Sequence, residues 1–215
     1  MIILKRFLIL RLLVIPILIC LFSSGCFFDF FGRKSKEISL QNQKISELEN
    51  EKAELLNEVQ ILKQTDEETN KIKSIADSEF SGTSITVRVK NDGLVSLMLP
   101  SSAYFPPGKA ELKKEAKKDL KKISSLINKE FSDKIIRVEG HTDNQPIKSK
   151  KNLYQSNWDL STARAISVLN YFINECGVNP ENIYVAGFAE FEPVAENSSS
   201  SGRNMNRRVE IVIIP

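Results

Sequence analysis

The sequence predicts an α+β fold: a two-layer sandwich of a mixed sheet with helices on one face, preceded by a long coiled-coil helix and a cleavable signal. Three observations carry this reading. After residue 85, short apolar strands alternate with amphipathic helices, and an Asp-Gly turn adds an antiparallel hairpin. From Glu37 to Ile75 there is no Gly or Pro, and aliphatic residues recur at steps near three and four. Residues 1–25 run in the order basic end, apolar stretch, small residues. The expected divisions are 1–25 signal, 26–36 linker, 37–76 coiled coil, 77–84 hinge and 85–215 sandwich domain. A chain of 215 residues, 41% hydrophobic and 27% charged, is neither disordered nor a polytopic membrane protein.

The N-terminal segment carries Lys5, Arg6 and Arg11, then an unbroken apolar run Leu12–Phe22, then Ser23-Ser24-Gly25-Cys26. The formal net charge of +3 resides in those three cations, so the remainder is neutral. That balance argues against a nucleic-acid partner. Ending on Gly-Cys resembles the lipobox of bacterial lipoproteins, which implies acylation of Cys26 and a firm membrane anchor. Ser23 stands where that pattern prefers Leu, Val or Ile. The rival reading is an uncleaved membrane helix. It must stretch to Phe31, taking in Pro16, Ser23, Ser24, Gly25 and the charged Asp29, to reach 20 residues.

The next segment fits a heptad. Positions a are Ile38, Ile45, Lys52 and Val59; positions d are Gln41, Leu48, Leu55 and Leu62. Lys44, Glu49, Glu51, Glu58 and Lys63 flank the seam. A homodimer is the expected assembly, and a single amphipathic helix lying on the following domain is the alternative. Gly82 marks the expected hinge.

In the C-terminal domain, strands are expected at Ile85–Lys90, Leu94–Leu99, Ile135–Glu139, Ile183–Gly187 and Val209–Ile214. A helix is expected from Lys109 to Phe131, its buried stripe Leu112, Ala116, Leu120, Ile123 and Ile127, its lysine face solvated. A second helix is expected over Leu160–Glu175, capped by Asn157 or Asp159, burying Leu160, Ala163, Ile166, Val168 or Leu169, and Phe172. Asn197–Asn206 reads as a mobile loop. Three cysteines, with Cys20 in the signal and Cys176 alone, give no disulfide framework. One histidine, His141, is too few for a usual zinc set, so no metal or cofactor is expected. His141 reads as a packing residue and Trp158 as a hydrophobic plug.

Four segments together resemble the OmpA/MotB C-terminal family. They are Phe105-Pro-Pro-Gly-Lys-Ala-Glu-Leu, Val138-Glu-Gly-His-Thr-Asp-Asn-Gln-Pro-Ile, Asn157-Trp-Asp-Leu-Ser-Thr-Ala-Arg-Ala and Gly202-Arg-Asn-Met-Asn-Arg-Arg-Val-Glu-Ile. The wording of the middle two leans toward MotB, while the architecture resembles peptidoglycan-associated lipoproteins. The resemblance implies an OmpA-like sandwich that binds peptidoglycan without catalysis. Asp143 and Arg164 are the positions implied to grip the stem-peptide diamino acid. Such a zwitterionic end needs an acceptor anion and a bidentate donor facing each other. Thr142 and Asn157 are expected to order the loop or touch ligand. The helix start near Leu160 offers free N–H groups, and Arg207 and Arg208 stand where the family keeps two arginines near the site, with pairing of one of them to an acid of the sheet as the alternative. The expected role is a tether between a membrane, read as the outer one, and the cell wall, in the periplasm of a bacterial envelope. The alternatives are a MotB-like motor stator and, more remotely, a wall enzyme using Glu139, His141 and Asp143.

Overall fold

The computed structural model describes residues 26–147 and 153–215. The signal expected at 1–25 and the acylation expected at the Cys26 side chain lie outside what is described. The first element, α1, is a continuous helix, Cys26–Phe80. The chain divides into two compact units between Ile61 and Leu62.

In the first unit, the described side chains of α1 are exposed. The heptad residues Ile38, Ile45, Leu48, Leu55 and Val59 are 46–54% exposed. Lys44 Nζ pairs with Glu47 at 2.7 Å. No helix among the described residues is long and apolar enough to cross a membrane.

The second unit opens with the last turns of α1. Ile72, Ala76 and Phe80 lie four residues apart, hence on one face, and all are buried in the core. The helix therefore runs four residues into the expected hinge range and ends at Phe80, two residues before Gly82. Burying that stripe fixes it, and polar contacts border the stripe: Glu68 pairs with Lys134, and Lys122 Nζ donates to the Glu79 carbonyl at 2.6 Å.

Strands β1 (Thr86–Val89) and β2 (Val95–Pro100) form the hairpin. Its turn places Gly93 at φ 81°, a conformation open to glycine. A short helix α2, Ser101–Tyr104, follows β2. Helix α3 spans Ala116–Glu130 rather than starting at Lys109. The reason is local. A helix over 109–113 would give the Lys109 carbonyl to the Lys113 N–H. Instead Lys113 N–H donates to the Tyr104 carbonyl at 2.9 Å, and the Lys109 carbonyl is taken by Arg164. The buried stripe Ala116, Leu120, Ile123 and Ile127 is as expected.

Strand β3 is Ile135–Gly140, helix α4 Asn157–Cys176, strand β4 Ile183–Gly187, helix α5 Ser200–Asn206 and strand β5 Arg208–Ile214. Helix α5 replaces the expected loop: Ser199 Oγ accepts from Gly202 N–H as its N-cap. The sheet order is β1-β2-β5-β3-β4, with β3 and β4 parallel and the other neighbours antiparallel. This is the mixed sheet that the sequence predicts.

The core lies on one face of the sheet. Leu97, Leu99, Ile136, Val138, Ile211 and Ile213 pack against Leu120 and Ile123 of α3 and Val168 and Phe172 of α4. The buried stripe of α4 is shifted from expectation: Arg164 and Ala165 are buried, while Ile166 is exposed.

The second face is polar yet buried. Alternation along β3 and β5 puts Glu139 and Glu210 there, directly paired across the strands. Like charges so placed repel unless cations intervene. Lys90 Nζ and Arg137 Nε hold Glu139 at 2.5 and 2.6 Å, and Arg208 Nε holds Glu210 at 2.5 Å.

Candidate ligand-binding site

Two close approaches to strand glycines set the site. A Cβ on Gly140, at the end of β3, would stand 1.9 Å from the Ser161 carbonyl oxygen in the first turns of α4. A Cβ on Gly187 of β4 would stand 2.1 Å from Thr162 Oγ1. Glycine at both positions lets α4 press on the ends of β3 and β4.

Beyond Gly140, the chain is pinned residue by residue. His141 N–H donates to the Arg208 carbonyl, 3.0 Å, and Thr142 N–H to the Ala189 carbonyl, 2.7 Å. Ala189 takes φ 48°, an uncommon conformation for alanine. It is held there by that bond and by its own N–H donating to Ser161 Oγ at 3.2 Å. Thr142 Oγ1 donates to the Asp143 carbonyl. Asn157 Nδ2 donates to the carbonyls of Asp143, 3.3 Å, and Gln145, 3.2 Å. Thr142 and Asn157 thus order the loop that presents Asp143.

Helix α4 is capped by Ser156, not by Asn157 or Asp159: Ser156 Oγ accepts from Asp159 N–H at 3.1 Å. Asp159 in turn accepts from Gln155 N–H, one residue before the cap, which fastens the incoming chain to the first turn. Leu160, mostly buried, follows in the first turn and Arg164 in the second.

Arg164 is 4% exposed. Its Nε donates to the Lys109 carbonyl at 3.0 Å, and its guanidinium lies 5.3 Å from the Phe105 ring centroid. Burial pushes its pKa down to about 10; Tyr154 and Asp143 oppose that shift, and Arg207 adds to it. Asp143 is nearly buried, accepting from Gln145 N–H at Oδ1 and from Arg207 Nη1 at Oδ2. Arg207 and Arg164 together line a cleft of about 390 Å³ with Ser101, Phe105, Pro107 and Gly108. Asp143, Arg164 and Arg207 therefore share one electrostatic neighbourhood.

Arg208 lies apart from them. The residue after Arg207 points to the other side of β5. It is buried against Glu210, with Nη2 donating to the Glu192 carbonyl at 3.0 Å.

The one cluster with metal-ligand chemistry among the described residues is on that same face: Glu139, His141 and Glu210 bring ligand atoms within 4.8 Å of one another. The donor set does not fit a cation. Lys90, Arg137 and Arg208 already neutralise its carboxylates, and a divalent ion would have to displace them. His141 stacks on Phe188 at 5.3 Å between centroids, a packing role.

Three participants escaped sequence reasoning. Phe105 was legible as part of a motif, but not as the face beneath a guanidinium. The Lys109 carbonyl carries no sequence signal. Trp158 is not a plug: it is 49% exposed and stacks on Phe191 at 5.3 Å.

Residues 104–207 match the model of the OmpA family. The chain is 36% identical to Motility protein B from Bacillus subtilis over 131 residues, 61% of this chain and 49% of that one. It is 31% identical over 137 residues to Probable lipoprotein YiaD from Escherichia coli, 64% of this chain and 58% of that one. The chain thus spans about half to three fifths of the length of these curated relatives. Among solved structures, a protein described as MotB-like from Desulfovibrio vulgaris superposes with TM-score 0.66 at 28% identity, over 72% of this chain and 95% of that one. The cell wall anchor of the T6SS from Pseudomonas aeruginosa gives TM-score 0.53 at 30% identity, over 60% and 87%.

Proposed function

This chain belongs to the OmpA family through its C-terminal domain, and from that membership we propose that it binds peptidoglycan non-covalently, gripping the stem-peptide diamino acid with Asp143 and Arg164. The observation that carries the reading is that Arg207 joins the two groups: it pairs with the nearly buried Asp143 carboxylate and lines one cleft with the buried Arg164 guanidinium. The ammonium of the ligand goes to Asp143 and its carboxylate to Arg164, with Arg207 beside them. Thr142, Asn157 and Leu160 hold the loop and the helix start. Arg208 belongs to the ion pairs of the opposite face. The role is binding, with no catalytic step.

Asp143→Ala and Arg164→Ala should each abolish pull-down with purified peptidoglycan while keeping the fold. Charge-assisted contacts contribute about 1.5–3 kcal/mol each, so losing one weakens binding at least about tenfold. Undiminished pull-down by both variants would defeat the reading.

At the scale of the whole protein, we read the chain as a lipoprotein anchored through Cys26, tethering the outer membrane to the wall from the periplasmic side, and paired through α1. Likeness to a lipoprotein in Escherichia coli supports it. The likeness to Motility protein B supports a second reading, a stator component held by an uncleaved N-terminal helix. Mass spectrometry of the mature N-terminus separates them: acylated Cys26 means a tether, intact Met1 a stator.

A further inference from the structure

The cleft holds more positive charge than it neutralises. Arg164 and Arg207 line it together with Lys113, whose Nζ is spent on the Ser102 carbonyl at 2.7 Å. Arg164 is held by a backbone carbonyl and an aromatic face. The acid at the site, Asp143, is already paired with Arg207. The two partners differ in freedom. The Asp143 side chain is 9% exposed and anchored by the Asx turn to Gln145, whereas the Arg207 side chain is 35% exposed.

We propose that Arg207 is a latch on Asp143, so that the site admits only a ligand end carrying an ammonium and a carboxylate together. This rests on the reading of Asp143 and Arg164 as the ligand grip, and adds the residue that sets its specificity.

Ligand entry at this site is an exchange of charges. An ammonium alone can reach Asp143 only by evicting Arg207. It then leaves two guanidiniums, one of them buried, without a carboxylate between them. A carboxylate alone gains Arg164 but leaves the latch shut and meets the Asp143 charge. A zwitterionic end does both at once: its ammonium replaces Arg207 on Asp143, and its carboxylate receives the released Arg207 beside Arg164. No ionic contact is lost without another forming. The discrimination is thus against diamino-acid ends that lack a free carboxylate, such as a lysine side chain or an amidated diaminopimelate.

The test is calorimetric titration of the full-length protein with three synthetic tripeptides. They are L-Ala-γ-D-Glu-meso-diaminopimelate, the same peptide amidated at the side-chain carboxyl, and L-Ala-γ-D-Glu-L-Lys. Wild type should prefer the first over the other two by at least about thirtyfold, the loss of a charge-assisted contact plus an unpaired guanidinium. Arg207→Ala and Arg207→Gln should lower that preference at least about tenfold, chiefly by improving binding of the lysine peptide, which no longer has to open the latch. Arg207→Lys should retain most of it. Equal binding of zwitterionic and amidated peptides by wild type overturns the proposal without any variant. An unchanged preference in both Arg207 variants also overturns it. If wild type binds none of the peptides, or Asp143→Ala changes nothing, the underlying binding reading falls as well.

Discussion

A single missing methyl group sets how the site is assembled. Gly140 ends β3 with the Ser161 carbonyl where its Cβ would be, so the strand end and the helix start share one fixed spacing. Asp143 hangs from the first and Arg164 from the second. Gly140→Ala puts a carbon 1.9 Å from a backbone oxygen, which only a main-chain shift can relieve. We expect a loss of about 3 kcal/mol, the upper end for overpacking, read as a lower urea midpoint, with weakened peptidoglycan binding in the protein that remains folded. Arg164 makes the companion case. Arg164→Lys keeps the charge but loses the planar fork and the fit over Phe105. Its affinity for peptidoglycan in a sedimentation assay should fall about tenfold or more, and a wild-type value would show that charge alone suffices.

Helix α1 shows how one element serves two ends. Its last turns bury Ile72, Ala76 and Phe80 in the core, while Ile45, Leu48 and Leu55 of the first unit stay at least half exposed in the single chain. An exposed aliphatic seam with charged flanks is what a second copy covers. The protein should sediment as a dimer at micromolar concentration, and Leu48→Asp with Leu55→Asp should make it monomeric without moving the melting of the C-terminal domain. A monomeric wild type would sink this. The helix over the heptad segment was legible because its period is local. So were the hairpin at Asp92-Gly93 and every strand, whose alternation is written within a few residues. What was not legible depended on distant partners. Lys109–Glu115 reads as helix until Arg164, 55 positions away, takes the Lys109 carbonyl. Ser200–Asn206 looks like loop until Ser199 caps it and the Asn206 side chain accepts from Val194 and Ala195 N–H. The acid and the arginine proposed to grip ligand were singled out from motif segments. The Arg207–Asp143 pair, spanning 64 positions, was not.

Across the whole domain, the sheet separates two kinds of interior, and the polar one should govern acid stability. Burial alone would raise the Glu139 carboxyl, but His141, Lys90 and Arg137 outweigh it and hold it at about 2. Burial likewise opposes ionisation of Glu210, and Arg208 with Ser96 keeps it below the ordinary range. Burial lowers the His141 pKa, with Glu139 resisting. All three shifts act in one direction. Below about pH 6.5 the unfolded histidine takes a proton that the folded one refuses, and below about 4.5 the unfolded glutamates do the same. The unfolded chain then binds more protons, so stability falls with pH, in full measure only once pH drops toward 2. For Glu139 alone, a depression from 4.5 to about 2 corresponds to roughly 3 kcal/mol. Glu139→Gln removes that titration, takes the carboxylate from Lys90 at neutral pH and leaves Arg137 with Asp92. Its urea midpoint should therefore lie well below wild type at pH 7 and converge on it toward pH 2, because the wild type loses there what the variant never had. Two parallel curves would mean that Glu139 does not titrate below its ordinary range in the fold, and two coincident ones that its ion pairs contribute nothing net.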